Sequence, residues 1–281
     1  MLFCFGLGYS ALHYLQQARR ERVYGTVRDA AAAPALPGLH TVVFDPANAE
    51  LKDVLRDASE ILVSIPPDEH GDPVLRLFAG ALPRHAHIIY LSSLGVYGDA
   101  QGAIVTEEGI CRPQRRRSQA RLAAEQRWMK AAKERQARLS ILRLGGIYGP
   151  KRNPLVALRR GEAKRIAKPG QVFNRIHVAD IAQAIGAAFA KNGGGIFNVA
   201  DDEPSAPGDP VVFAARLLGI EPPPEIPFDQ ARRSMSPMAL SFYEECRRAD
   251  NSKLKSVLGV RLLYPTYREG LRALFEAGEG R

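Results

Sequence analysis

The sequence predicts an α/β fold, a doubly wound parallel sheet with a smaller C-terminal part, and three observations carry that prediction. Short apolar runs alternate with helical stretches through the first half of the chain. The first run ends in a glycine turn that opens a helix. A length of 281 residues allows one large domain with an appendage, and 46% hydrophobic against 25% charged residues is the balance of an ordinary globular protein.

The elements follow in order. Runs at 2–5, 22–27, 40–44, 61–65, 87–92 and 139–144 read as strands. Between the last two, Ala120, Ala123, Ala124, Trp128, Ala131 and Ala132 recur at helical spacing while Arg, Lys, Glu and Gln fill the other face. A further helix opens at Asp180, where a carboxylate complements a helix N-terminus, and runs to Phe189. The strand Gly195–Ala200 precedes a proline-rich break between Pro204 and Pro210, and the tail holds short helical pieces interrupted at Glu221-Pro222-Pro223-Pro224.

The opening turn, Gly6-Leu7-Gly8-Tyr9-Ser10-Ala11, is a G-x-G-x-x-A string with a strand before it and a helix after it. Gly6 permits a sharp turn, Gly8 removes the Cβ that would meet a phosphate, and Ala11 lets helix and strand approach. The free N–H groups of the helix then face an anion, which points to a dinucleotide pyrophosphate. Residues 1–150 thus read as a dinucleotide-binding domain completed by about 171–203, with 151–170 and 204–281 as the smaller, substrate-side part.

Ligands of such sheets bind beyond the carboxyl ends of the strands. Gly6, Gly8, Tyr9 and Ser10, then Ser64, Ile65 and Pro66, then Ser92 to Tyr97, and then Gly145 should therefore face one cleft. At the end of the second run, where an NAD site places a carboxylate against the ribose, the chain has Thr26 and then Arg28. An arginine there receives a 2'-phosphate, which favours NADP over NAD. Asp29 is the counterweight, since a strand ending one residue differently would bring a carboxylate to the ribose.

A net charge of +9 raises nucleic acid as a partner. The positive residues instead gather in Arg112, Arg115, Arg116, Arg117 and Arg121 and again from Lys151 to Lys168, with no zinc-finger or RNA-recognition signature. That distribution suits a small anionic or sugar-like ligand, or a merely solvated basic face. Cys4, Cys111 and Cys246 lie far apart with no C-x-x-C pair, which argues against a disulfide framework and a zinc site and fits a cytoplasmic protein. No run approaches the roughly 20 apolar residues of a membrane span.

Four passages together resemble the extended short-chain dehydrogenase/reductases, the NAD(P)-dependent nucleotide-sugar epimerase/dehydratase group with a Rossmann domain. They are Gly6-x-Gly8, Leu91-Ser92-Ser93-Leu94-Gly95-Val96-Tyr97-Gly98, Arg143-Leu144-Gly145-Gly146-Ile147-Tyr148-Gly149-Pro150, and Ile176-His177-Val178-Ala179-Asp180-Ile181-Ala182. The resemblance implies that Ser93 holds a substrate oxygen. It also implies a Y-x-x-x-K pair about two dozen residues later, in which the lysine lowers the pKa of an acid/base tyrosine and binds the nicotinamide ribose. A free tyrosine, with a pKa of about 10, is too weak a base at neutral pH without such a cation.

The chain departs from that pattern. The tyrosine position reads Arg117 and the lysine position Arg121, and no tyrosine is followed four residues later by lysine. Arg121 can still bind a ribose, but a guanidinium such as that of Arg117 moves no proton. Candidates at the reacting centre are therefore Ser93, Tyr97 on the loop after the fifth run, and Arg117 as a grip on an anionic group. His177 is placed to orient a loop or touch ligand, Glu107 and Glu108 to accept sugar hydroxyls or lie in solvent, and Tyr148 with Arg152 looks structural. Two readings stand: an oxidoreductase or epimerase acting on a nucleotide sugar or small carbonyl compound, and an NADP-binding protein without turnover. Monomer and homodimer are both compatible with the sequence.

Overall fold

The computed structural model describes residues 1–18, 20, 22–191 and 193–280. Seven strands form the central sheet: β1 (Leu2–Phe5), β2 (Val23–Val27), β3 (Leu39–Val43), β4 (Glu60–Val63), β5 (His87–Ser93), β6 (Arg138–Leu144) and β7 (Gly195–Val199). Their order is β7-β6-β5-β4-β1-β2-β3, with every pairing parallel. Each run read from the sequence overlies one of these strands, with ends displaced by two residues at most.

Burial on both faces explains why the inner strands β1, β4 and β5 read as continuous apolar runs. In β1, Leu2 and Cys4 enter one core and Phe3 and Phe5 the other. Among the described residues the helices of six or more residues are α1 (Tyr9–Gln17), α2 (Ala49–Arg56), α3 (Pro73–Phe78), α4 (Arg116–Arg135), α5 (Pro154–Arg159), α6 (Val178–Ala190), α7 (Asp209–Leu218) and α8 (Tyr267–Glu276). α1 and α6 pack on the Leu2 and Cys4 side; α2, α3 and α4 pack on the Phe3 and Phe5 side.

α4 buries part of the stripe its alanines suggest, without Ala123. Ala124, Glu125, Trp128 and Ala132 are buried, whereas Ala123 is exposed. The cause is Trp128, whose fully buried indole donates Nε1–H to Asp72 Oδ2 at 2.9 Å and thereby fixes the helix rotation. Asp72 also accepts from Leu75 N–H at 3.0 Å, so one carboxylate joins the start of α3 to the middle of α4.

The chain leaves β1 towards β2 and β3, then returns to place β4 on the opposite side of β1. Connections diverging from neighbouring strands open a crevice at their carboxyl ends, and the site forms there. The later residues build a second core, in which α5, α7 and α8 enclose Tyr148, Leu155, Ala214, Tyr267, Leu271 and Leu274. Buried Asp180, in the first turn of α6, accepts from Leu263 N–H at 2.6 Å, Tyr264 N–H at 3.1 Å and Gln183 Nε2 at 2.9 Å. Its place near the helix start is as the sequence indicated, but its oxygens hold the chain that leads into α8. Among the described residues no helix is long and apolar enough to cross a membrane.

Candidate functional site

The glycine turn closes β1 as its residue types require. Gly6 has φ +87°, a conformation that disfavours a side chain, and a Cβ there would lie 2.8 Å from Ile65 Cγ1. Its N–H donates to Thr26 Oγ1 at 2.8 Å, and its carbonyl accepts from Ser64 Oγ at 2.7 Å. Strands β2 and β4 thus pin the turn from both sides, with Ser64 and Ile65 against Gly6. A Cβ built on Gly8 would meet nothing within 4 Å.

Gly8 is the N-cap of α1, with no side-chain cap and no acid in the first turn. The open space over Gly8 and the uncapped N–H groups beyond it are the cradle that a pyrophosphate fits. The side chains of Tyr9 and Ser10 are committed elsewhere. Tyr9 donates its hydroxyl to Pro150 O at 2.9 Å, and Ser10 is 8% exposed, so both are offered to a ligand through backbone.

At the end of β2 Thr26 is buried, bound to the glycine turn as just described. β2 stops at Val27, which leaves Arg28 exposed. The Asp29 carboxylate accepts from Ala31 N–H at 2.9 Å and caps its own short turn, Ala30–Ala32.

The end of β5 is built differently from the sequence reading. Strand alternation puts Ser92 on the same face as Tyr90, against α4, where it donates to Glu125 Oε1 at 2.5 Å. Glu125 in turn receives Arg143 Nη2 at 2.8 Å and Nε at 3.2 Å, with both side chains almost wholly buried. Ser92 therefore anchors this network and turns its hydroxyl away from the cleft. Gly145 donates its N–H to Val199 O at 2.9 Å, and a Cβ there would press on the Asn174 and Arg175 carbonyls at 3.2 Å, so packing alone accounts for the glycine.

Tyr97 is corrected most sharply. It is 3% exposed, donates its hydroxyl to Asn198 Oδ1 at 2.7 Å and lies with its ring 4.8 Å from the Arg143 guanidinium. Burial pushes its pKa up to about 12, so it is neither an accessible nor an ionisable base near neutrality. Glu107 belongs to the same interior, accepting from Asn198 N–H at 2.7 Å, while exposed Glu108 pairs with Lys253 at 2.9 Å.

Ser93 stays partly exposed and accepts from Gly95 N–H at 3.1 Å. Arg117 is exposed in the first turn of α4. Arg121 folds inward and donates from Nη1 to Leu91 O at 3.0 Å and to the Tyr90 hydroxyl at 3.1 Å, which sets its charge against the carboxyl end of β5.

His177 is the N-cap of α6: Nδ1 accepts from Ala179 N–H at 3.2 Å, and the ring lies between Tyr148 and Tyr264. Burial holds its pKa down to about 4, so it is neutral near pH 7. Tyr148 is buried under α8 and reaches Thr266 O at 3.4 Å, a structural role as the sequence reading had it. Burial raises the Cys111 thiol, which keeps it protonated. Glu125 and Arg143 were missed as partners by the sequence reading; the available signal was a carboxylate in the middle of the apolar stripe of α4.

The fold defines a class, the doubly wound Rossmann-type α/β proteins with an additional C-terminal region. Comparison with known proteins narrows it. The profile of the NAD dependent epimerase/dehydratase family matches residues 69–200. Protein YeeZ of Escherichia coli (strain K12) is 31% identical over 225 residues, which are 76% of this chain and 74% of YeeZ.

The chain belongs to the NAD dependent epimerase/dehydratase family. Among solved structures, a functionally unknown conserved protein from Silicibacter pomeroyi DSS shares 39% identity over 99% of each chain, with a TM-score of 0.86. The UDP-glucose 4-epimerase of Thermus thermophilus, solved with NAD, superimposes with a TM-score of 0.75 over 99% of each chain at 19% identity, a likeness of fold.

Proposed function

We propose that this protein binds NADP in preference to NAD and acts on a nucleotide-sugar or small carbonyl substrate without a tyrosine acid/base. The observation that carries the reading is the cradle at Gly8, a bare helix N-terminus facing open space at the switch point of the sheet. Gly6, Gly8 and the backbone of Tyr9 and Ser10 would hold the pyrophosphate. Arg28, exposed beyond β2 while Asp29 is engaged in its own turn, would take the 2'-phosphate. Arg121 would face the nicotinamide ribose, and Ser93 with Arg117 would face the substrate. The dinucleotide supplies hydride chemistry at its nicotinamide ring when bound.

A second reading, binding without turnover, is favoured by one specific pair of observations. Arginine stands at the tyrosine position, and Tyr97, the nearby tyrosine, is locked into the interior. A thermal-shift titration with NADP and NAD tests the cofactor, because a ligand that binds only the folded state raises its stability. The expected result is stabilisation by both, greater for NADP, and a loss for Arg28→Ala that is at least ten-fold in NADP affinity and slight for NAD. Equal losses would remove Arg28 from the 2'-phosphate. Nicotinamide absorbance during a screen of nucleotide sugars and aldehydes then separates the two readings, since binding with no turnover supports the second.

A further inference from the structure

The basic residues from Lys151 onward have no part in the site described so far, yet one of them stands against the start of α1. Arg152 lies in the loop 149–153 that leads into α5, with its guanidinium carbon 6.0 Å from the centre of the Tyr9 ring. Tyr9 is the first residue of α1, directly after Gly8. Arg152 is exposed, and among the described residues no carboxylate pairs with it. Its side chain is also separate from Tyr148, which is buried under α8.

Three sets of contacts fix the backbone beneath this arginine. Gly149 and Arg152 exchange two hydrogen bonds of 3.0 Å, N–H to carbonyl in both directions. Pro150 O accepts the Tyr9 hydroxyl, which fastens the loop to α1. The Glu279 carboxylate receives Lys151 N–H at 3.0 and 3.1 Å and Asn153 Nδ2 at 3.1 Å. Amides thus occupy Glu279, and the Arg152 charge is left for another anion. A cation carried on a backbone already ordered loses less entropy when it takes up such a partner.

The glycine turn lacks what this arginine has. Residues 6–11 include no cationic side chain, so the end of α1 by itself offers about half an elementary charge. A dinucleotide pyrophosphate carries a negative charge on each phosphate. We propose that Arg152 supplies the missing countercharge, its guanidinium donating to the pyrophosphate oxygens of the dinucleotide together with the α1 N–H groups. This rests on the dinucleotide reading above. It adds a residue that serves NAD and NADP alike, in contrast to Arg28, whose proposed role is confined to the 2'-phosphate.

The test is calorimetric titration of the full chain with NADP and with NAD, at low and at high salt. Arg152→Ala should weaken both dinucleotides by the same factor, about ten-fold, and flatten the dependence of affinity on salt. Arg152→Lys keeps a charge but loses the planar fork, and should recover part of the loss. Lys151→Ala removes the same charge one residue away and should change either affinity by about two-fold at most. Because the Arg152 side chain is exposed and unpaired, the melting temperature of Arg152→Ala without ligand should stay within about 2 °C of the wild type. Unchanged affinity for both dinucleotides in Arg152→Ala overturns the assignment and leaves the dinucleotide reading standing. An equal loss in Lys151→Ala overturns it too, by reducing the effect to net charge, and a loss confined to NADP does so by moving Arg152 to the 2'-phosphate. A wild type that binds neither dinucleotide overturns the reading and the assignment together.

Discussion

The turn after β1 and the end of β5 with its facing helix lie at the same carboxyl edge of the parallel sheet, and they are built from different materials. The first consists of backbone: a glycine at positive φ, a glycine with open space beside it, and N–H groups left without caps. The second consists of side chains, and most of them face the interior. Ser92, Glu125, Arg143, Tyr97, Asn198 and Glu107 form a buried polar chain, leaving Ser93, Ser118 and Arg117 at the surface. Backbone geometry tolerates drift of the surrounding sequence as long as the glycines stay. A reaction centre made of side chains changes its chemistry with each replacement.

The largest effect expected from this contrast is in the side-chain region. Glu125→Ala would strand the Arg143 charge in the interior, a loss of about 3–5 kcal/mol by urea denaturation. A loss below about 1 kcal/mol would mean the network is not what holds that end together.

Behind the glycine turn, His177→Asn probes pH. Burial holds the folded-state pKa of His177 down to about 4, below the roughly 6.5 of an unfolded chain. The stability linked to its neutral form is fully present above about pH 6.5 and is lost as pH falls towards 4, by on the order of 3 kcal/mol. Asparagine can still cap α6 but does not titrate, so the acid limb of the stability curve should become shallower by one proton. An unchanged limb would show that His177 is not the group responsible.

Two smaller effects separate the glycines. Gly6→Ala combines backbone strain with the Ile65 clash and should cost about 1–3 kcal/mol in thermal denaturation. Gly8→Ala should leave stability within about 0.5 kcal/mol yet weaken dinucleotide binding about ten-fold, since its methyl group enters the space assigned to phosphate. Unaltered binding in Gly8→Ala would move the pyrophosphate elsewhere.

The two regions also differed in how far they could be read from sequence. The inner strands β1, β4 and β5 were visible because burial on both faces leaves them little polar alternation, whereas the edge strand β3 buries only Val42 and was legible from its short apolar run alone. The turn was visible because glycine marks it. Tyr97 misled because its neighbours arrive from β6 and β7, in Arg143 and Asn198, and nothing adjacent to it in the chain announces them. Ser92 could have been separated from Ser93 by alternation, since it shares a face with Tyr90. Asp29 illustrates a local ambiguity: whether it meets a ribose or caps its own loop depends on one residue of strand length, and β2 ends so that it caps.

The carboxylate of Asp180 has a consequence for incomplete chains. A polypeptide terminated shortly before Leu263 would contain the entire seven-stranded sheet, yet two of the amide protons that satisfy this interior acid would be missing. Unmet negative charge beneath α6 is costly to enclose, so such a fragment would be marked for proteolysis although its central architecture were finished.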